Sequence, residues 1–494
     1  MYMKPTILPL ILSVSLFLCS CSDYLDLKPK GREIPTNIEQ YEGMLNSIIL
    51  FNFANIEQFS DGGISPGTEP IYNIYMTDEL TADAESFASL NRNALAAYTY
   101  QPDIFTQEDR SAEWNAPYKQ IYTYNVVANG VMDATDGSEE ERLEIQSEAR
   151  VGRAYMYFML AQFFGKPYDE STANTDLCVP LVTEASVGNR TFERNTVQEV
   201  YDFILAEMED ACPHLAQTTI HRQRIYRAAG YYMLGKVYFA MRRYEEARQA
   251  LTTAMEATQD ATVELALFDY NTMLPQWGYD PDRGYAFALT GSYPNNLTNN
   301  NIEILCNKQF NIMLLVSVFY PPTVYVKPEY MALYGDDDLR RAFFSNVDYT
   351  GSIQYPYYKR ISHMIYTLAG DMPDLYLMLA ESQARTGHRA EAEDLLTEFR
   401  AHRMPAESAA IPASVVTDDD LVRFIVDERM REFMMTGLRW FDLRRLWNDP
   451  LFPDLQANCT HTDGTNTYTL TEERLTYRIP PQVLSFSTDW TDNE

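Results

Sequence analysis

Asp427 to Trp447, DERMREFMMTGLRWFDLRRLW, is the stretch on which the fold turns. It reads as a helix, a break and a second helix. Upstream, Thr417 is placed to cap the first helix, and Asp418, Asp419 and Asp420 suit its positive start. From there Leu421, Phe424, Ile425, Glu428, Glu432 and Met435 fall on one face at a period of 3.6 residues. Gly437 can take the left-handed conformation that stops a helix. Beyond it, Trp440, Leu443 and Trp447 form a second apolar stripe, flanked by Arg439, Arg444 and Arg445. Two glutamates one turn apart repel unless cations sit beside them. The nearby arginines offer forked donors, so Glu428, Glu432, Arg439, Arg444 and Arg445 are expected to form a structural ion network between packed helices. A catalytic carboxylate pair is the less favoured alternative.

Helix signals recur along the chain. Thr36-x-x-Glu39, Ser138-x-x-Glu141 and Thr196-x-x-Glu199 each fit a capping box ahead of an apolar-periodic run. Strand-like alternation is short, around Tyr468–Leu470 and Thr476–Ile479, so the class is mostly α. A degenerate tetratricopeptide-like repeat is visible as well. Tyr231-x-x-Leu234-Gly235-x-x-Tyr238 precedes Ala247-x-x-x-Leu251, and Tyr376-x-x-Leu379-Ala380-x-x-Gln383 precedes Ala392-x-x-x-Leu396, with Gly387 in the turn. Tyr157-x-x-Leu160-Ala161-x-x-Phe164 is a third first helix, whose partner is delayed until about Thr196. The repeats are expected at roughly 140–165, 196–257, 372–403 and 418–447. Long polar, aromatic insertions at about 60–100, 166–194 and 260–358 interrupt them, and segments of that length are expected to form a second layer carrying function.

The signature Glu428-Arg-x-Arg-Glu432, followed by Gly437-x-Arg-Trp-Phe-Asp-Leu-Arg-Arg445, resembles the C-terminal signature of the SusD/RagB family of outer-membrane nutrient-binding lipoproteins. Trp114-x-x-x-Tyr118-x-x-Ile121, Glu148-Ala149-Arg150-x-x-Arg153-Ala154-Tyr155 and Asp337-Asp338-Leu339-Arg340 add to the likeness, which covers nearly the whole mature chain. Asp371-Met372-Pro373-Asp374 departs from it where the family often has an arginine ahead of the repeat. The resemblance implies a helical-repeat scaffold with an irregular ligand face, and delivery of the captured nutrient to a SusC-like TonB-dependent transporter.

The amino terminus agrees. Met1–Lys4 is a short basic n-region and Ile7–Leu18 an apolar h-region too short to span a bilayer. It ends in Leu18-Cys19-Ser20-Cys21, similar to a bacterial lipobox, so residues 1–20 are expected to be a lipoprotein signal. Cys21 would then be the acylated start of a single domain, 21–494, held at the outer membrane by its lipid and facing outward. The acidic run after Cys21 resembles the family's surface-export signal. The 494 residues, 46% of them hydrophobic, can bury a large core, and a net charge of −31 argues against a nucleic-acid partner. Cys178, Cys212, Cys306 and Cys459 are scattered without zinc spacing, leaving disulfides or free buried thiols open.

No reaction chemistry emerges, so the protein is not expected to be an enzyme, and neither cofactor nor metal is expected. Gly63-Ile64-Ser65-Pro66-Gly67 fits a nucleophile elbow only superficially, because Pro66 has no N–H for an oxyanion. Asp280-Pro281-Asp282 is a turn before it is a calcium site. The expected function is capture of an oligomeric nutrient, a glycan sooner than a peptide. The alternative is a protein-docking scaffold with no small-ligand site. Aromatic residues among Gly, Pro and Asn mark the candidate contacts: Trp277, Tyr279, Arg283, Tyr285, Tyr293, Asn295 and Asn296, with Asp61 and Tyr72 at the rim. Trp277 is the strongest of these.

Overall fold

The computed structural model describes residues 35–50, 71–185, 191–219, 221–280, 284–286, 301–308, 323–348, 350–361 and 367–494. Helical hairpins stack through the molecule as the repeats require. Arg227–Ala240 packs on Tyr244–Thr258, Met372–Arg385 on Arg389–Ala401, and Glu139–Phe164 on Val197–Ala211. Met372–Arg385 then lies between Tyr244–Thr258 and Asp418–Phe433, which joins the hairpins into one stack. Small residues set the spacing: a Cβ added to Gly235 would stand 2.6 Å from the Leu251 side chain. A connected core of buried apolar side chains runs from Tyr41 to Ile479. Cys178, Cys212, Cys306 and Cys459 lie buried as free thiols. No described helix is long and apolar enough to cross a membrane.

Local signals hold with two exceptions. Ser138 and Glu141, Thr196 and Glu199, and Thr417 and Asp420 all close capping boxes. At the first helix, Ile38–Leu45, the cap is Asn37 instead of Thr36, because its amide oxygen reaches the Gln40 N–H. Thr467–Thr469 pairs with Thr460–Thr462 as a hairpin, whereas Thr476–Ile479 is buried without pairing as a strand. Gly437 does adopt a left-handed φ of 83°, although the helix already ends at Phe433.

The ion network exists with other partners than spacing suggested. Glu428 is fully buried and accepts from Arg340 (2.6 Å), Arg400 (2.5 Å) and Arg431 (2.6 Å). Glu432 meets Arg403 (2.9 Å) and Arg340 (3.0 Å), and Arg403 also holds Glu303 (2.7 Å). Arg439 pairs instead with Asp78, Arg445 with Glu381 and Asp442, and Arg444 with backbone carbonyls, including those of Leu475 and Gly165. The two glutamates face the 389–403 side of the molecule while the second helix turns its arginines toward Asp78 and Glu381. A helix–turn–helix pattern cannot reveal that rotation.

These pairs also fix a small antiparallel sheet of order Leu80–Thr81, Tyr325–Val326, Gln354–Arg360, Phe344–Val347. Asp78, held by Arg439, stands two residues before the first strand. Lys327, just after the second, donates its N–H to the Glu79 carbonyl, and Tyr330 donates its hydroxyl to Asp78. Arg360 at the end of the third donates to the Met434 carbonyl at 2.7 Å. Arg340 leads into the fourth. Three of the four strands are therefore tied to the 418–446 region by nearby polar contacts, and Tyr325–Val326 reaches it only through Asp78 and Glu79.

Burial raises the carboxyl pKa of Glu428, but Arg431, Arg340 and Arg400 outweigh it and hold it well below the usual range. At Glu432 burial likewise raises the carboxyl, and Arg403 and Arg340 outweigh it and hold it below the usual value. A depressed folded-state pKa stabilises above the unfolded carboxyl value and loses that stabilisation as pH falls toward the folded one. Glu428→Ala, which leaves three buried guanidiniums short of a partner, should cost about 3–5 kcal/mol. It should lower Tm at pH 7 and speed amide exchange in 344–347 and 354–360. Between about pH 5 and pH 3 its stability should fall less steeply than that of the parent protein. An unchanged melt and exchange pattern would show that the cluster does not anchor the sheet.

Candidate functional site

The small sheet carries a tyrosine-rich face. Along Gln354–Arg360, alternation sends Tyr355, Tyr357 and Lys359 to one side. Val326 opposes Tyr358 and Thr81 opposes Tyr325, so Tyr325 shares the Lys359 side. The Tyr325 ring centroid lies 6.1 Å from that of Tyr355 and 5.8 Å from that of Tyr357. Lys359 Nζ stands 5.1 Å from the centre of the Tyr355 ring. Tyr355 and Tyr357 are half-buried, while Tyr358 is 37% and Ile353 57% exposed. On the opposite side Leu80 and Val326 are fully buried and fix the sheet to the core.

Two of the three insertions contribute, since Leu80–Thr81 comes from the first and the other three strands from the last or its continuation. Burial raises the Tyr325 hydroxyl pKa, and the nearby carboxylates Asp83 and Glu85 raise it further. Burial pushes Lys359 down to about 8. Tyr325 and Lys359 are buried, at 3% and 1% exposure, and brace the half-buried Tyr355 and Tyr357, whose rings are the part of this face open to a ligand. Such a face can stack on a sugar ring or a peptide side chain.

The residues singled out by sequence fall elsewhere or outside the described chain. Trp277 is 1% exposed, packed against Phe268 (5.5 Å), Tyr270 (5.5 Å) and Phe343 (6.3 Å between ring centroids). It offers a ligand no face, and its polar flanks merely surround an aromatic plug that pins the segment to the core. Tyr72 is also core, against Phe105 and Tyr75, with its N–H donated to Glu113. Tyr279 and Tyr285 sit in a two-strand hairpin pairing Tyr279 with Ala286 and Asp280 with Tyr285, turned at Gly284 with a φ of 74°. Tyr279 is half-buried, and Tyr285 packs with Ile361 and Val347 at the border of the sheet. Cys21, Asp61, Arg283, Tyr293, Asn295 and Asn296 lie outside the described residues, as does Gly63–Gly67. The missed signal was Tyr355-Pro-Tyr357-Tyr358, whose alternation of aromatics marks a strand with one face on offer.

Two family profiles match the chain: one described as starch-binding and associating with the outer membrane, over residues 23–239, and that of the SusD family, over 345–491. The chain belongs to the SusD/RagB family. Solved structures agree with this SusD-like fold. A SusD superfamily protein from Bacteroides thetaiotaomicron superposes with a TM-score of 0.63 at 18% identity, over 93% of this chain and 100% of that one. A SusD-like carbohydrate binding protein from Bacteroides vulgatus gives 0.62 at 15%, over 92% and 97%. Surface glycan-binding protein A from Bacteroides uniformis gives 0.63 at 18%, over 92% and 99%. No curated protein matches in sequence. Two of these three relatives are named as carbohydrate- or glycan-binding proteins, and the family is one of cell-surface proteins associated with the outer membrane.

With Trp277 in the core, Trp277→Ala should act through stability, costing about 3–5 kcal/mol for the lost packing and the cavity left behind. Thermal unfolding should show the drop. A variant that melts like the parent protein would return Trp277 to the candidate surface.

Proposed function

We propose that this SusD-like protein is a non-catalytic binding protein that captures an oligosaccharide on the tyrosine face of the small sheet. The observation that carries the reading is the half-buried pair Tyr355 and Tyr357 on one face, braced from beneath by the buried Tyr325 and Lys359. Stacking on partly buried rings suits the apolar faces of sugars, and neutral chains approach a protein of net charge −31 without electrostatic penalty. Membership of a family described as starch-binding supports a glycan over a peptide. A protein-docking scaffold with no small-ligand site remains the competing reading, favoured by the stacked helical hairpins alone.

The remainder of the reading follows the family. Residues 1–20 act as a signal, Cys21 carries the lipid, and residues 21–494 form one SusD-like domain on the outer surface. A chain so anchored moves nothing across a membrane by itself, and delivery falls to a SusC-like TonB-dependent transporter. Metabolic labelling with a fatty-acid analogue should mark the parent protein and not Cys21→Ala; label kept by the variant would remove the anchor.

Calorimetric titration with maltoheptaose, an array of soluble oligosaccharides and mixed peptides tests the ligand class. Tyr357→Ala should weaken the bound oligosaccharide about tenfold, or about 1.4 kcal/mol, with Tm unchanged. Unaltered affinity would move the site off this face, and saturable binding of peptides alone would reverse the ligand class.

A further inference from the structure

Glu79 is fully buried where the small sheet meets the Met434–Gly437 break. Its Oε1 accepts from the Met435 N–H at 3.3 Å, at the residue with a left-handed φ of 59°. Its Oε2 is buried and has no hydrogen-bond partner. The Glu79 backbone carbonyl accepts from the Lys327 N–H at 2.9 Å. The next two residues form the first strand, pairing Leu80 with Val326 and Thr81 with Tyr325. Tyr325 in turn braces Tyr355 and Tyr357. One buried carboxyl thus stands directly at the root of the strand that seats the tyrosine face.

The charges around it are already committed. Asp78, its neighbour in sequence, takes Arg439 through both oxygens (2.8 and 2.9 Å) and the Tyr330 hydroxyl at 2.7 Å. Burial raises the Asp78 carboxyl, but Arg439 outweighs it, so Asp78 stays ionised. On the second strand, Lys327 holds its ammonium 5.7 Å from the centre of the Tyr330 ring. On the third, Arg360 donates to the Met434 carbonyl at 2.7 Å. Burial pushes His461 down to about 4 and raises Cys459, Tyr100 and Tyr330, so none of the four carries charge at neutral pH. Among the described residues no cation forms an ion pair with Glu79. An ionised Glu79 would be a second buried carboxylate against Asp78, which is costly. Burial and Asp78 accordingly raise it to about 7, with Arg439 opposing. We propose that Glu79 is a positioning residue for the tyrosine face, an uncharged carboxylic acid that seats strand Leu80–Thr81 and loosens it on ionisation.

A carboxyl raised in the folded protein adds its full stability below the unfolded value and loses it as pH rises through the folded one. Opening the strand so that Glu79 meets water should therefore release one proton between about pH 5 and pH 7. Asp78, ionised throughout that window, adds no slope. The opening constant should grow about tenfold per pH unit there and level off at higher pH. What this means for a ligand rests on the reading of the tyrosine face; the opening itself does not. Hydrogen exchange of the full-length protein without ligand, corrected for the intrinsic pH dependence of exchange, reads it at the Lys327 amide and across residues 77–82. Glu79→Gln, which keeps an acceptor for the Met435 N–H, should give a flat profile. Glu79→Met, similar in length and equally unable to titrate, should do the same and serves where the amide impairs folding. Tyr357→Ala should keep the parental slope, so loss of oligosaccharide binding leaves this result untouched. A flat profile in the parent protein, or the parental slope in a folded Glu79 variant, would overturn the proposal.

Discussion

Placing Glu428 and Glu432 in the protein interior is the constraint on which the rest depends. Taking a carboxylate out of water costs several kcal/mol, and a low-dielectric interior returns that only when geometry is close and every lone pair is used. Here three arginines converge on Glu428 and two on Glu432. They arrive from different parts of the chain: Arg340 from the irregular layer, Arg400 and Arg403 from the end of a repeat, Arg431 from the same helix. An ion cluster of this kind gains little over an apolar core in stability, but it tolerates only one arrangement of the segments that supply it. It specifies which parts of the chain meet.

That specification matters most for the sheet. Strands of two to seven residues bury too little to stand alone, and the edge strand Leu80–Thr81 is the shortest possible. Their order comes from Asp78 on Arg439, Arg360 on the Met434 carbonyl and Arg340 on the two glutamates. Aromatic rings can bind tightly only if they are already positioned, because ordering them on ligand contact consumes the energy that contact releases. A face of tyrosines on a weak sheet becomes useful once the scaffold beneath it is rigid. The path from the signature to the tyrosine face is thus a few buried polar contacts long.

The same division explains what could be read from the residues alone. Helices at 3.6 periodicity, capping boxes at Ser138, Thr196 and Thr417, and the Gly235–Leu251 approach are local or one turn of packing away, and the chain states them directly. Partner choice among charges is not local. Glu428 and Arg445 are close in sequence, yet the break at Met434–Gly437, with Met435 also at a positive φ of 59°, turns the second helix so that its arginines meet Asp78 and Glu381. Trp277 illustrates a different failure. Composition marks a loop but not whether an aromatic there plugs the core or faces outward, and Phe268, Tyr270 and Phe343 had to be brought together before the answer existed. Tyr355 and Tyr357 were open to a reading by alternation, but one proline between them masked the strand.

Charge bears on which ligands the surface can admit. Many of the chain's basic groups are spent inside, where each is matched by a carboxylate and contributes little field beyond the surface. What remains outside is dominated by acid, consistent with a net charge of −31. Such a surface discourages anions at distances up to about a Debye length of 8 Å and leaves neutral sugars unaffected. Neutral chains therefore suit the open tyrosine face. With those arginines already committed to interior carboxylates, the ligand proposed for the tyrosine face is a neutral chain and not an acidic one.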